Sequence, residues 1–140
     1  MSGTQIMKPH ISLITLGVRD LEKATAFYCA LGWETHGEFE GVSFFQLRGA
    51  WLSLYPRDDL ARDVETSDVG EGFRAFTIAH NVASKDEVNR VLEYAQSVGA
   101  TIQKPARDAD WGGYSGYFCD LDGFLWEVAW NPYLDLTKPE

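Results

Sequence analysis

The sequence predicts an α+β domain built from two tandem βαβββ modules. Two observations favour this fold: a strand, a helix and three strands occur in the same order twice, and each predicted helix ends at a glycine. Because a chain of 140 residues can bury about two thirds of its unfolded surface, we expect one domain, 1–140. It divides into module one at 9–56, a linker at 57–72, module two at 73–131 and a tail at 132–140.

Module one begins with a predicted strand at 11–18, which is followed by a helix. Asp20 can cap the start of this helix, and Gly32 can end it, because glycine accepts the left-handed conformation found after helices. The apolar stripe of the helix consists of Leu21, Ala24, Tyr28 and Leu31. Three further strands are predicted at 33–39, 42–47 and 51–55.

Module two repeats this order after the polar linker. A strand at 73–80 comes first, and a helix then opens at Ser84 with Glu87 three residues later, which is a capping-box pattern. Its apolar stripe consists of Val88, Val91, Leu92, Ala95 and Val98. Gly99 closes the helix. The last strands are predicted at 101–104, 114–120 and 125–130.

The composition argues against several classes of partner. With 21 acidic and 12 basic residues the net charge is -9, so we expect no basic face for nucleic acid. No stretch reaches the roughly 18 apolar residues of a membrane span. The N-terminus also lacks a charged segment followed by a long apolar run. We therefore expect a cytoplasmic protein that binds neither nucleic acid nor membrane.

One acidic residue lies among apolar residues in the last predicted hairpin. The turn of this hairpin is at Asp122 and Gly123, where glycine allows the positive φ of a tight turn. Alternation along the second strand places Glu127 on one face and Trp126 and Val128 on the other. A carboxylate on an apolar face needs a partner, a ligand or a proton. Glu127 is therefore the first candidate site residue, with a structural ion pair or solvation as the alternative.

Two segments are similar to motifs of a known superfamily. The residues from Gly17 to Trp33, GVRDLEKATAFYCALGW, look like the first strand-to-helix signature of the vicinal oxygen chelate superfamily. This superfamily includes glyoxalase I, bleomycin-resistance proteins and extradiol dioxygenases. The residues from Asp120 to Glu127, DLDGFLWE, resemble its closing hairpin. The resemblance covers 11–131, and it implies curved mixed sheets around a small-molecule cleft with the helices outside.

The resemblance also implies where the metalloenzymes of this superfamily would bind a divalent metal. The four ligand positions correspond to Leu13, Ser53, Phe76 or Thr77, and Glu127. Of these, Glu127 alone is a ligand of the usual kind, whereas zinc typically takes three protein ligands with N, O or S donors. We therefore expect no cofactor, and a divalent metal only with a ligand set that differs from that of the family.

The histidines are weaker candidates. His80 could reach a ligand beside Glu127 if its strand face points into the cleft, and a backbone hydrogen bond at the strand end is the alternative. His10 lies before the first strand, where an exposed or capping role is expected, and His36 lies in a polar strand and is expected to be exposed.

Aromatic residues are the remaining candidates. Five tryptophans and six tyrosines are more than a core of this size needs, so some of them are expected to line a pocket. Such rings can stack on flat ligands or on cations, with core packing as the alternative. The predicted ligand-binding residues are Trp51, Ser53, Tyr55, Phe76, Trp111 and Tyr114.

Two functions of different class remain open. The first is a binding protein with a metal-free, aromatic-lined cleft for a small organic ligand, as the similarity to bleomycin-resistance proteins implies. The second is a glyoxalase-like lyase or isomerase in which Glu127 acts as general acid or base, with His80 or Tyr114 assisting. The superfamily commonly pairs its chains, which implies a homodimer that covers exposed strand edges.

Overall fold

The computed structural model describes residues 6–137, and the ends of the predicted domain, 1–5 and 138–140, lie outside this part. Its strands β1 to β7 are Leu13–Val18, Ser43–Phe45, Trp51–Pro56, Ile78–Asn81, Thr101–Asp108, Tyr114–Cys119 and Leu125–Trp130. Its helices α1 to α3 are Leu21–Ala30, Arg57–Val64 and Lys85–Ser97. Across the described residues, no helix is long and apolar enough to cross a membrane.

The strands form two sheets, one in each module. The first sheet has the order β1-β3-β2, and the second has the order β4-β7-β6-β5. In both sheets the first strand of the module is parallel to its last strand, and the other pairs are antiparallel. The predicted α+β fold with two related modules and mixed sheets is confirmed.

The helix ends follow the local signals in the sequence. The Asp20 carboxylate accepts a hydrogen bond of 3.0 Å from the backbone N–H three residues later, and the Ser84 hydroxyl accepts one of 3.1 Å in the same way. Gly32 and Gly99 have φ values of 114° and 120°, a region that glycine adopts without strain. Capping by side chains and glycine closure therefore set both predicted helices.

The strand predicted at 33–39 is wrong, because within the described residues it is reduced to one bridge between Thr35 and Phe45. Gly37 has a φ of 69°, which interrupts extended pairing. Trp33 leaves the strand direction and stacks on a buried tyrosine of α1, with 5.6 Å between ring centroids. The first sheet consequently has three strands in this part of the chain.

The predicted linker at 57–72 contains α2. Asp58 and Asp59 lie in its first turn and Arg62 lies in its last, which suits the helix dipole. The Asp59 carboxylate also accepts a hydrogen bond of 2.7 Å from Arg62. No side chain of α2 is fully buried, so hydrophobic spacing could not predict it.

Two strands of module two differ in length from the prediction. The strand expected at 73–80 is confined to β4, and Ala75 before it has a φ of 64°, which extended residues do not adopt. The strand expected at 101–104 continues to the end of β5 through Pro105. Proline is tolerated there because β5 is the edge strand of its sheet.

Aromatic and acidic side chains join the two modules in one core. The hydroxyl of Tyr28 in α1 donates to Asp120 Oδ2 at 2.6 Å and accepts from Trp126 Nε1 at 3.0 Å. Asp120 Oδ1 accepts the backbone N–H groups of Asp122 and Phe124 at 2.9 and 2.8 Å. Burial, and then the charge of Asp120, raises the pKa of Tyr28 well above its ordinary value. The β6–β7 turn is therefore fixed against α1.

Candidate functional site

The two faces of the second sheet have different surroundings. The face of Tyr114 packs against α3, because its hydroxyl donates to Asn89 Oδ1 at 2.8 Å. A Cβ added to Gly116 on the same face would lie 2.8 Å from Leu92 Cδ1 of α3. We call this side the α3 face. The opposite side, which carries Glu127, we call the open face.

Glu127 lies in the middle of the open face. The strand register places Ala79 of β4 on one side of it and Tyr117 of β6 on the other, with Lys104 of β5 beyond Tyr117. Glu127, Tyr117 and Lys104 are all half-buried. Burial, then the charge of Glu127 and a hydrogen bond with it, raises the pKa of Tyr117. This row offers a carboxylate, a phenol and an ammonium group to a small molecule.

His80 and Tyr114 lie on the other side of the sheet from Glu127. His80 pairs with Val128, the residue after Glu127, so alternation turns its side chain to the α3 face. Tyr114 is on the same face, as its bond to Asn89 shows. The expectation that either residue assists Glu127 at one site is therefore corrected, because the sheet separates them.

In the first sheet, the predicted ligand-binding residue Ser53 is engaged in an internal contact. The hydroxyls of Thr15 and Ser53 share a hydrogen bond of 2.6 Å, and Ser53 is 2% exposed. At one end of this face, α2 comes close to the sheet, since a Cβ on Gly17 would lie 3.2 Å from Arg57 Cα. Tyr55 pairs with Gly17 and lies at that same end. The sequence did not predict this covering helix.

Trp51 lies at the uncovered end of the first sheet and lines an open groove of about 1,230 Å³. The groove also contains the segment 7–13 and the rings of His10 and His36. The His36 ring meets Trp51 edge-on at 4.8 Å between centroids. The predicted exposure of both histidines is confirmed. Their presence beside Trp51 was missed, because the contacts are between distant parts of the sequence.

Phe76 and Trp111 lie at different places from Trp51. The Phe76 ring packs against Phe124, with centroids 6.0 Å apart. Trp111 is 47% exposed and its ring folds over Gly113 in the turn before β6. The predicted aromatic residues therefore contact several separate parts of the chain.

Leu13 and Thr77 occupy equivalent places in the two modules. Leu13 lies two residues before the residue that pairs with Ser53, and Thr77 lies two residues before the residue that pairs with Glu127. Of the two alternatives for the third ligand position, the register thus favours Thr77 over Phe76.

The residues at these four positions do not fit a transition-metal site. Leu13 has no donor atom, and the Ser53 hydroxyl is engaged within the first sheet. One carboxylate at Glu127 and a threonine hydroxyl make a poor ligand set for zinc. Within residues 6–137, no group of three His, Cys, Asp or Glu side chains could hold a metal ion. The metal content of the protein stays a prediction.

Comparisons with known proteins agree with the fold. Residues 10–128 match the model of the family described as the Glyoxalase/Bleomycin resistance protein/Dioxygenase superfamily. The chain is similar to a glyoxalase-related enzyme from Fulvimarina pelagi, with 32% identity, a TM-score of 0.82, and coverage of 89% of this chain and 90% of that chain.

Two further solved structures have a similar fold. A genomically encoded fosfomycin resistance protein from Listeria monocytogenes is 29% identical, with a TM-score of 0.69 and coverage of 91% of this chain and 97% of that chain. A lactoylglutathione lyase from Agrobacterium tumefaciens is 21% identical, with a TM-score of 0.66 and coverage of 89% and 95%. At this lower identity the likeness concerns the fold alone.

Proposed function

Because this chain belongs to the Glyoxalase/Bleomycin resistance protein/Dioxygenase superfamily, we propose that it binds a small organic molecule on the open face. The position of Glu127 is the observation that supports this most. Its half-buried carboxylate lies in mid-sheet beside Tyr117, and within residues 6–137 it forms no ion pair with a basic side chain. A partly desolvated carboxylate gains free energy when a ligand supplies a positive charge or a donor.

The charges favour a small cationic or aromatic ligand. Glu127 supplies a negative charge at the site, and the net charge of -9 raises the concentration of cations near the protein. The Tyr117 ring adds an aromatic surface on which a flat or cationic group can pack. Lys104, at the far end of the row, can bind an acceptor on the same ligand.

A panel of small organic cations and flat aromatic compounds tests the location of the site. We expect ligands that bind to ¹⁵N-labelled protein to shift the amide resonances of Ala79, Tyr117 and Glu127, which lie side by side on the open face. Shifts confined to α3 and the groove beside Trp51 would contradict the proposal. The same titration of the Glu127→Gln variant shows whether the carboxylate takes part.

The proposed site functions without a tightly bound metal. Leu13, Ser53 and Thr77 provide no ligand set, and one carboxylate at Glu127 binds a divalent ion weakly. Elemental analysis of protein purified without chelator should therefore find well under one equivalent of zinc, nickel, manganese or iron. One full equivalent that is lost in the Glu127→Gln variant would overturn the metal-free proposal.

We also propose that two copies pair through the groove beside Trp51. Ile11 is 67% exposed, and it lies with the exposed side chains of Met7 and Phe39 in one apolar groove, which is typical of an interface. Sedimentation velocity at micromolar concentration should show a dimer, and Ile11→Glu should shift it to monomer. Val69→Glu, an exposed position outside the groove, is the control. A monomer for the unmodified protein would contradict the pairing.

A glyoxalase-like lyase or isomerase is the second candidate function. The contact between Glu127 and Tyr117 favours it, since a carboxylate beside a phenol can move a proton to or from a bound substrate. In this case Tyr117 takes the assisting role that the sequence assigned to His80 or Tyr114.

A further inference from the structure

A second cavity, of about 340 Å³, lies on the α3 face. It is separated from Glu127 by the sheet itself, and its walls come from α3, the end of α1 and the second sheet. Its volume is within the range of roughly 300–1,000 Å³ that small-molecule sites occupy. Glu127, Tyr117 and Lys104 of the open face are not among the residues that line this cavity.

The floor of the cavity is a set of flat rings. Phe118 and Trp126 are stacked nearly parallel, with centroids 6.2 Å apart and an angle of 6°. Trp33 meets Trp126 at 5.8 Å and 62°, which forms a side wall. Tyr94 of α3 donates its hydroxyl to the Ala30 carbonyl at 2.8 Å and ties α3 to α1 beside the cavity. The flat ring of a ligand can stack on these aromatic side chains.

Two opposite charges line the same cavity. Glu87 and Arg90 are three residues apart on α3, so both side chains are on one side of the helix. Within residues 6–137, neither side chain forms an ion pair or a hydrogen bond. Asp59 and Arg62 have the same spacing on α2 and do pair, at 2.7 Å. The charges of Glu87 and Arg90 thus remain available to a ligand.

His80 adds a polar group without a strong charge. His80 is an exposed residue, but the surrounding side chains partly desolvate its ring and lower its pKa, and the charge of Glu87 opposes this shift. The neutral imidazole is favoured at neutral pH, and it can donate or accept one hydrogen bond.

We propose that this cavity binds a zwitterionic aromatic compound of the aromatic α-amino acid class. Its ring packs on Trp33, Phe118 and Trp126. Its ammonium group contacts Glu87 and its carboxylate contacts Arg90. A ligand with one charge alone would leave either Glu87 or Arg90 unpaired, whereas a zwitterion satisfies both.

Three matched compounds test this proposal at pH 7 on the full chain. Tryptophan carries both charges, tryptamine lacks the carboxylate, and indole-3-propionate lacks the ammonium group. By isothermal titration calorimetry, tryptophan should bind at least about tenfold more tightly than either analogue, since each charge-assisted contact contributes about that factor.

Charge-removing variants identify the contacts. Arg90→Gln should weaken the binding of tryptophan and indole-3-propionate by about tenfold and leave the binding of tryptamine unchanged. Glu87→Gln should weaken the binding of tryptophan and tryptamine by about tenfold and leave that of indole-3-propionate unchanged. The controls are Glu93→Gln and Arg107→Gln, exposed charges outside the cavity, which should change none of the three affinities.

Three results would overturn the proposal. The first is the absence of saturable tryptophan binding at about 10 mM, which corresponds to an affinity too weak for a built site. The second is an equal change in the affinities of all three compounds in the Arg90→Gln and Glu87→Gln variants. The third is a loss of tryptophan binding in Glu127→Gln, which would place the compound on the open face. Tryptophan binding that Glu127→Gln leaves intact supports the cavity and is independent of the open-face proposal.

Discussion

Replacing Trp126 with alanine should lower the free energy of unfolding by about 3–5 kcal/mol, the usual cost of removing a large buried ring. The side chain is 5% exposed, and its ring lies 6.0, 5.8 and 6.2 Å from those of Tyr28, Trp33 and Phe118. The substitution also removes the hydrogen bond from Nε1 to the Tyr28 hydroxyl. Since a domain is stable by only about 5–15 kcal/mol, this loss is a large part of the total.

Urea unfolding followed by far-ultraviolet circular dichroism measures this loss without depending on tryptophan fluorescence. Trp130→Ala is the matched control, because Trp130 lies on the same strand and the same face but is half-buried. We expect a smaller loss of stability for Trp130→Ala. Equal losses would mean that Trp126 has no special place at the junction of the two modules.

The sequence predicts best those features that depend on neighbouring residues. The caps at Asp20 and Ser84 and the closures at Gly32 and Gly99 each involve residues within a few positions of one another. The prediction of a strand at 33–39 is wrong because the backbone there follows the packing of the Trp33 ring. The partners of this ring belong to α1 and to the second sheet. Alternation cannot distinguish a strand from a loop that buries one ring.

In the candidate site too, the sequence predicts local features better than features that depend on distant residues. Alternation correctly separates Glu127 from Trp126, because the side-chain period of a strand is two. The faces of His80 and Tyr114 depend on the pairing of β4 and β6 with β7 and on the sheet face that α3 covers. The strand pairing and the position of α3 depend on contacts between segments tens of residues apart. Local patterns in one sequence therefore do not predict them.

None of the motifs in the sequence indicates the cavity on the α3 face. Trp33 reaches it from the turn after α1, and Trp126 reaches it from β7, on opposite sides of the module junction. A cavity between modules is formed by long-range packing, whereas sequence patterns report which face of one element is apolar.

Replacing Glu127 with glutamine should distinguish the two candidate functions of the open face. Glutamine keeps the shape of the side chain and removes its charge and basicity. In a binding protein for a cationic ligand, the change should weaken binding by about 1.5–3 kcal/mol, the range for a hydrogen bond to a charged group. In a lyase or isomerase, binding should stay nearly intact while turnover falls by about two to four orders of magnitude.

Binding calorimetry and a turnover assay on a ligand that maps to the open face measure the two effects separately. Glu93→Gln removes the same charge from an exposed position of α3 and should change neither quantity. Tyr117→Phe keeps the ring beside Glu127 and removes its hydroxyl, so it should lower turnover if the phenol assists proton transfer and leave cation binding largely unchanged. If Glu127→Gln alters neither affinity nor turnover, the open face is not the functional site, because its central carboxylate would then contribute nothing to either process.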